Sequence, residues 1–554
     1  MTQADALRGS GLARPAIGAA LALAVLYLVL SLPNHPAALT PGILRVFPLE
    51  LPVIFVALAI LPAAHGFTIA VRAALVVFLT LVTALKLADF ATFSTYNRGF
   101  NPLVDLHLIP AAWNLASGAV GAALTGAGAA ALLVGIAFLA WLIWWATGQL
   151  SRLTLGPGLR RAASLVMAPL AVIAGLEIAA AMRTIALPFN VPGAAFTARV
   201  AAERVTMLSH TMERLNAFRD AAHSDPFADV TPLLDRIGQR DVLLIYIESY
   251  GASSLTNPRY GETHLQTLAG IEAELDAKGL AMRSGWLEAP ILGGQSWMSH
   301  TTLATGLWTP DQRTYGAALV SGRASLFHLA QRHGFETVAV MPAITMDWPE
   351  ADFMGFDRVL AADDLGYRGL PFNWVTMPDQ FTLAALDRLV REGQPGLDRS
   401  PVFAQVALIS SHAPWTPVPR LLGWDDIGDG QIFNAVAQSG DPPEVIWRDR
   451  ERVRSQFLKA IDYSLRTVGS YAARQAAAPP LLIVLGDHQP APFVSEDEGL
   501  AVPIHVIGPP ELVEPFAEWG WRTGLIPDPD APTIAMDQFR NRFLTTFSSQ
   551  SVSP

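Results

Sequence analysis

Three apolar runs in the C-terminal half of this chain end in side chains that do chemistry. Val242-Leu243-Leu244-Ile245-Tyr246-Ile247 ends in Glu248. Val402 through Ile409 ends in Ser410, Ser411 and His412. Leu481 through Leu485, bounded by Pro480 and Gly486, ends in Asp487 and His488. Apolar runs of this length read as fully buried strands. In open α/β sheets ligands bind outside the carboxyl ends of the strands. Glu248, Asp487 and His488 together supply oxygen and nitrogen ligands, a set that suits Mn²⁺, Mg²⁺ or Zn²⁺. A lone acid at a strand end is ordinarily a cap or a turn residue. The pair Asp487-His488 fits that reading poorly, because burying both beside an apolar run is costly without a partner.

Ser296 lies in Gly293-Gly294-Gln295-Ser296-Trp297, where a helix is expected to begin. Free backbone N–H groups and the positive end of a helix dipole would bind a phosphate there and stabilise an alkoxide. A metal would lower the pKa of the hydroxyl further. Taken alone, Ser296 is also a favoured N-cap, and Ser299, Thr301 and Thr302 compete for the role. The company of Glu248 and Asp487-His488 makes Ser296 the expected nucleophile. His412, in Ser411-His412-Ala413-Pro414-Trp415, is placed to bind a phosphoryl oxygen or to protonate a leaving group; a structural histidine is the plain alternative. His505, mid-strand in Val502–Val506, reads as core.

The elements that must position these residues alternate from Arg240 onward. Strands are expected at 241–247, 337–341, 402–409, 481–485 and 502–507. Helices are expected near 264–278, 296–306, 325–333, 381–391, 448–474 and 536–547. This rhythm predicts an α/β domain with a largely parallel central sheet and helices on both faces. Residues 420–447, rich in Gly, Asp and Pro, read as a surface loop.

The N-terminal third is different. The 554-residue chain is 51% hydrophobic and 16% charged, with a mean hydropathy of +0.33, which predicts a membrane part joined to a soluble part. Five apolar runs, 16–32, 49–64, 67–88, 118–146 and 162–182, are read as five transmembrane helices. Arg8, Arg14, Arg72, Arg152, Arg160 and Arg161 fall on one side if the N-terminus is cytoplasmic, against Arg45, Lys86, Arg98 and Arg183 on the other. Trp141, Trp144 and Trp145 suit an interfacial belt. Glu50 and Glu177 are read as outer-interface residues rather than functional intramembrane carboxylates. The expected organisation is a transmembrane domain over 1–187, a juxtamembrane connector over 188–235 and an extracytoplasmic domain over 236–554. Apolar residues from Phe196 to Leu215 recur at helical spacing, predicting an amphipathic helix on the membrane surface or packed on its own domain. The net charge of −10 gives no hint of nucleic-acid binding, which needs clustered Lys and Arg. The absence of cysteine excludes disulfides, thiolate metal sites and cysteine nucleophiles.

Glu248-Ser249-Tyr250-Gly251, the hydroxyl of Ser296 in GGQSW, His412 in SHAPW and Asp487-His488 in GDHQP resemble the alkaline-phosphatase/sulfatase-like superfamily. Five spans before an extracytoplasmic domain resemble its lipoteichoic-acid-synthase branch, which includes phosphoglycerol transferases. The resemblance implies a sulfatase-like catalytic domain with one divalent metal, Mn²⁺ first and Mg²⁺ or Zn²⁺ as alternatives, held by Glu248, Ser296, Asp487 and His488. It implies that Ser296 carries a covalent phospho-group, with His412, Trp348 and Glu350 at the substrate. The expected function is transfer of a phosphoglycerol-type headgroup from a phospholipid to an envelope glycan or glycolipid at the bacterial cytoplasmic membrane.

Two positions depart from that branch. Ser296 stands where lipoteichoic-acid synthases use Thr, and Ser can do the same chemistry. Trp348-Pro349-Glu350 carries Glu350 where an Arg is usual, which would favour an amine and brings in a phosphoethanolamine transferase of the same mechanism. A phosphodiesterase using water as acceptor, and a non-catalytic envelope protein, are the other readings. Ser296-Trp297-Met298-Ser299-His300 lacks the Pro and Arg of the formylglycine motif of true sulfatases.

Overall fold

The computed structural model describes residues 3–550 apart from 63–64, 97–98, 103–104, 108, 110–112, 114–116, 118–120, 154, 183–184, 186–190, 192, 374 and 394–397. Arg98 and Arg183, used above to orient the chain, and part of the predicted run 118–146 lie outside the described residues. The chain divides into two compact units, Met1–Arg214 and Leu215–Pro554.

The first unit is helical: α1 (Gln3–Ser31), α2 (Glu50–Ile60), α3 (Gly66–Tyr96), α4 (Ala122–Ser151), α5 (Pro157–Ala181) and the first part of α6 (Phe196–His223). Among the described residues three helices are long and apolar enough to cross a membrane: Gly66–Phe93, Ala122–Ser151 and Pro157–Ala181. The apolar parts of α1 (Ala16–Ser31) and α2 are shorter. The run predicted over 49–64 stops as a helix at Ile60, ahead of Pro62, which cannot continue a helix. At 1.5 Å per residue α2 is about 16 Å long, half a hydrocarbon core. Ala22, Leu26, Ile54, Leu79, Ile143 and Ala146 bury one another where α1–α4 meet. Arg72 lies over the Trp144 ring at 4.1 Å and donates to the Trp144 carbonyl.

The polar residues of these helices have a shared task. Glu50 accepts from the backbone N–H of Ala198 at 3.0 Å, and Glu177 from that of Ala195 at 3.0 Å. Both N–H groups lie at the start of α6, where the first turn has no intrahelical acceptors and the dipole is positive. Lys86, fully buried, donates to Thr197 Oγ1 at 2.8 Å. Asp89 pairs with Arg204 two turns further on. Helix α6 therefore packs on the other helices of the first unit over this stretch. Val205 and Met212 remain exposed.

The second unit is a mixed sheet with helices on both faces. The strands are β1 (Val242–Ile247), β2 (Ala281–Glu288), β3 (Glu336–Met341), β4 (Arg358–Ala361), β5 (Val402–Leu408), β6 (Leu481–Gly486), β7 (Ala501–Gly508), β8 (Arg522–Thr523) and β9 (Ile534–Ala535). Their order is β4-β3-β5-β1-β6-β7-β2-β8, with β9 on β2. The five from β4 to β6 are parallel; β7, β2 and β8 run antiparallel to their neighbours along this order. The largely parallel sheet expected from sequence is thus corrected to a mixed one. A parallel neighbour needs a long crossover, usually a helix. The segment between β6 and β7 is spent on the Asp487–Gln489 loop and the single helical turn Pro492–Ser495, and the chain returns antiparallel. Strand β2 escaped the sequence reading because Arg283 and Ser284 interrupt its apolar pattern.

Strand β1 alternates faces. Leu243, Ile245 and Ile247 join one core with α7 (Pro258–Ala277), α11 (Asp379–Leu389) and α12 (Arg450–Arg474). Val242, Leu244 and Tyr246 join the other with α8 (Trp297–Thr305), α10 (Leu326–Arg332) and α13 (Gln538–Phe547); α9 (Gln312–Leu319) follows α8. Being buried on both faces, the strand reads as a continuous apolar run.

The carboxylates at the α6 N-terminus generate a test. The chain has no cysteine, so a single Val200→Cys, at a position 1% exposed, is a clean probe. With Glu50→Gln and Glu177→Gln added, maleimide labelling at position 200 is expected to accelerate at least about tenfold, the equivalent of one charged hydrogen bond. Equal rates with and without the two changes would remove the carboxylates from the account.

Candidate functional site

The register of three parallel strands creates the site. Ile247 pairs with Leu408 on one side and with Gly486 on the other. The next residues along, Glu248 and Asp487, therefore emerge side by side, with Ile409 and the Ser410–His412 turn alongside. Glu248, Asp487 and His488 bring one ligand atom each within 4.8 Å of one another. Asp487 and His488 are buried.

Ser296 arrives from the other core, at the entrance to α8. It occupies the N-cap position without making a side-chain cap. Its hydroxyl donates instead to Glu248 Oε2 at 3.1 Å. The preceding Gln295 has a φ of 67° and Gly294 one of 133°, and this turn aims the hydroxyl at the sheet end. The Gln489 backbone carbonyl holds two parts together: it accepts from Gly293 N at 2.9 Å and lies 2.8 Å from His488 Nδ1. Gly486 admits no side chain, because a Cβ there would lie 1.8 Å from the Tyr250 carbonyl oxygen.

The donor set fits a divalent cation. His488 Nδ1 donates to Gln489 O, which leaves Nε2 as the inward lone pair. That Nε2 is buried with no hydrogen-bond partner; Glu248 Oε1 stands 3.2 Å away without the alignment of a hydrogen bond. Asp487 Oδ1 is already oriented by the N–H groups of Ser249 at 2.8 Å and His488 at 2.7 Å. An orphaned imidazole nitrogen facing two carboxylates and a hydroxyl is what a bound metal would satisfy.

The charges agree. Burial acts to raise the Glu248 carboxyl, but the His488 and His412 imidazoles outweigh it and hold the group far below the usual carboxylate range. Burial, then the Glu248 charge, push Asp487 up to about 7. Burial alone would lower His488; the Asp487 and Glu248 carboxylates overcome it and push the imidazole up to about 9. Two of the three groups in contact, Asp487 and His488, thus retain protons that a cation would displace.

His412 is exposed on the turn after β5, near enough for its charge to act on Glu248. Its Nδ1 lies 2.5 Å from the Ala413 carbonyl. Asp379 splints this turn: its Oδ1 accepts from Ile409 N and Ser410 N, each at 2.8 Å. Trp348 and Glu350 are not members of the metal-type group. Trp348 packs on Ala339, Met341 and Ala407, and Glu350 begins the 3₁₀ turn Pro349–Phe353. Burial, then the Glu350 charge, push the Tyr315 hydroxyl up to about 12, with Trp348 acting the other way. Tyr315 lies on α9, whose first residue Gln312 accepts from Trp297 Nε1 at 3.2 Å, linking this side to the Ser296 turn. His505 is core, between Tyr250 Oη at 3.0 Å and Ser284 Oγ at 2.9 Å.

The sequence reading passed over His300 and Tyr246. His300 is one helical turn beyond Ser296, buried, with Nε2 unpartnered. Burial pushes it down to about 4 against the Glu248 charge, which keeps the imidazole neutral beside a cation site. Its ring centroid is 3.9 Å from that of Tyr246, whose buried hydroxyl also has no partner. The i,i+4 spacing from Ser296 was the available signal.

Because His488 and Asp487 hold protons that a metal must displace, metal affinity is expected to rise with pH through the interval from about 7 to about 9. Titration calorimetry with Mn²⁺ in buffers of different ionisation enthalpy is expected to register release of about one proton or more per ion at neutral pH. Affinity independent of pH between roughly 6 and 9 would contradict the assignment of these ligands.

No family profile matches the chain, and no curated protein matches it. Solved structures do. The lipoteichoic acid synthase LtaP from Listeria monocytogenes is 14% identical, with a TM-score of 0.33, over 52% of this chain and 70% of that one. The Streptococcus pyogenes phosphoglycerol transferase GacH, in complex with sn-glycerol-1-phosphate, is 14% identical, with a TM-score of 0.36, over 61% and 81%. The soluble domain of lipooligosaccharide phosphoethanolamine transferase A from Neisseria meningitidis is 11% identical, with a TM-score of 0.36, over 56% and 88%. The chain is similar to these solved structures and to a protein of the alkaline phosphatase superfamily from Vibrio parahaemolyticus.

Proposed function

We propose that this chain is a membrane-anchored, metal-dependent phosphotransferase that moves a phosphoglycerol-type headgroup from a phospholipid to an envelope glycan or glycolipid. The observation that carries the reading is the Ser296 hydroxyl, which forgoes its helix cap to sit on Glu248 within the Glu248/Asp487/His488 group. A hydroxyl so placed is a nucleophile in waiting.

Glu248, Asp487, His488 and Ser296 would hold one divalent ion, Mn²⁺ first, with Mg²⁺ and Zn²⁺ also compatible with the ligands. That ion supplies charge neutralisation at the phosphoryl oxygens and favours the ionised form of the hydroxyl. In its ionised form, to which it returns at the end of the cycle, Ser296 Oγ attacks the phosphorus, and the bond from phosphorus to the diacylglycerol oxygen breaks. His412 Nε2 delivers a proton to that oxygen. An acceptor hydroxyl then attacks the phospho-serine, gives its proton to His412 and regenerates Ser296. Asp379 keeps the His412 turn in register, and Gln489 O keeps the Ser296 turn against His488.

Glu350 favours a second reading, a phosphoethanolamine transferase of the same mechanism, since a carboxylate near Trp348 and Tyr315 pairs with an ammonium. In both readings the chain is a multi-pass protein of the bacterial cytoplasmic membrane. An odd number of crossings, three or five with α1 and α2 included, supports an extracytoplasmic catalytic domain if the N-terminus is cytoplasmic.

Intact mass of the purified chain, incubated with mixed phospholipids and Mn²⁺, is expected to show a glycerophosphate adduct that Ser296→Ala abolishes. A phosphoethanolamine adduct would select the second reading. No adduct with any of the three metals, and no diacylglycerol released, would overturn lipid-donor transfer. A phosphatase reporter fused after Asp235 is expected to be active outside the cytoplasm; activity of a cytoplasmic reporter at that point would overturn the topology.

A further inference from the structure

We propose that Trp447 is the stacking platform for a pyranose ring of the acceptor. The ring belongs to neither the metal-type group nor the nucleophile turn, yet it ties the loop that carries His412 to the segment that follows His488. Its Nε1 donates to the Pro414 carbonyl, two residues beyond His412. Its ring lies parallel to that of Trp415, 5.8 Å centroid to centroid and 5° apart. It meets Phe493, on the loop that continues from His488, edge-on at 5.9 Å. Trp415 is itself buried and donates to Ser411 O at 2.6 Å. The Phe493 carbonyl accepts from Arg454 at 2.8 Å.

Trp447 is therefore held on several sides and still 45% exposed. An indole is usually driven under cover by the hydrophobic effect. One held rigid in water at the meeting of two site loops has low conformational entropy left to lose on binding. Its surroundings choose the ligand. Glu444, Arg448, Asp449 and Arg450 beside it are all exposed and charged. Acyl chains avoid such a rim, whereas a sugar uses it fully: C–H faces stack on the indole while hydroxyls bond to carboxylate and guanidinium groups. In the transferase reading the donor brings a glycerol-type headgroup and no ring, so a pyranose stacked here belongs to the acceptor. Only that last step rests on the transferase reading.

The test uses the full-length chain carrying 5-fluorotryptophan, in a detergent without a sugar headgroup. Trp447→Phe assigns the ¹⁹F resonance by removing it. Titration with methyl pyranosides of glucose, galactose, N-acetylglucosamine and rhamnose is expected to move that resonance saturably, with a Kd on the order of millimolar for single rings, while glycerol does not. Movement with phosphatidylglycerol micelles alone would make the ring a bilayer contact and overturn the proposal, as would no movement with any of the four sugars. In enzyme carrying Trp447→Ala, transfer to a glycan acceptor is expected to fall about tenfold relative to formation of the Ser296 adduct, with Trp447→Phe recovering part of it. A parallel fall in both would place the ring on the donor side. Absence of an adduct in the unaltered chain would remove the transferase reading, and the sugar titration would still decide the platform.

Discussion

The in-register alignment of β5, β1 and β6 is the constraint on which the site depends. With Ile247 level with Leu408 and Gly486, the strand ends deliver Glu248, the His412 turn and Asp487-His488 to one place. A slip of one residue would turn Glu248 toward the opposite helical layer, since successive side chains alternate faces. The register is secured by burial: β1, β5 and β6 are buried along their lengths, so a slip would strand apolar residues against the wrong layer. At the other end of β1, Asp241 accepts from Val402 N at 2.9 Å and pairs with Arg391 and Arg399, which ties the start of β1 to the start of β5.

Local strain completes what register begins. Ser249, directly after Glu248, and Gln295, directly before Ser296, both have positive φ, 59° and 67°. Such backbone costs roughly 1–3 kcal/mol per residue and persists where surrounding structure over-determines it. Here Ser249 N bonds to Asp487, and Gly293 at the head of the Ser296 turn is tied to Gln489 O. The two strained residues flank the two side chains that share a hydrogen bond.

The membrane unit follows the same economy of polar groups. Carboxylates and an ammonium among apolar helices are tolerated only with partners. Glu50, Glu177 and Lys86 find theirs in the exposed N–H groups and first hydroxyl of α6, and the partner-less start of a helix finds its acceptors in them. The carboxylates read from sequence as outer-interface residues hold the start of α6.

Much of this was legible in the chain itself. Continuous apolar runs marked β1, β5 and β6, because strands buried on both faces leave no room for alternation. The residues that end those runs, with Ser296 after Gly293-Gly294, marked the site, because ligands and nucleophiles collect at strand ends and helix starts. Tertiary structure decided the rest. The existence of β2 rests on pairing between residues more than two hundred positions apart, for which local pattern carries no information, and the direction of β7 rests on its antiparallel pairing with β6. The destination of the Ser296 hydroxyl, cap or Glu248, could not be read from a residue type that serves both. The partners of Glu50, Lys86 and Trp447, at separations of 148, 111 and 33 positions, also lie outside any local pattern. Burial and periodicity are properties of a segment, whereas hydrogen-bond partners and strand direction are properties of the folded whole.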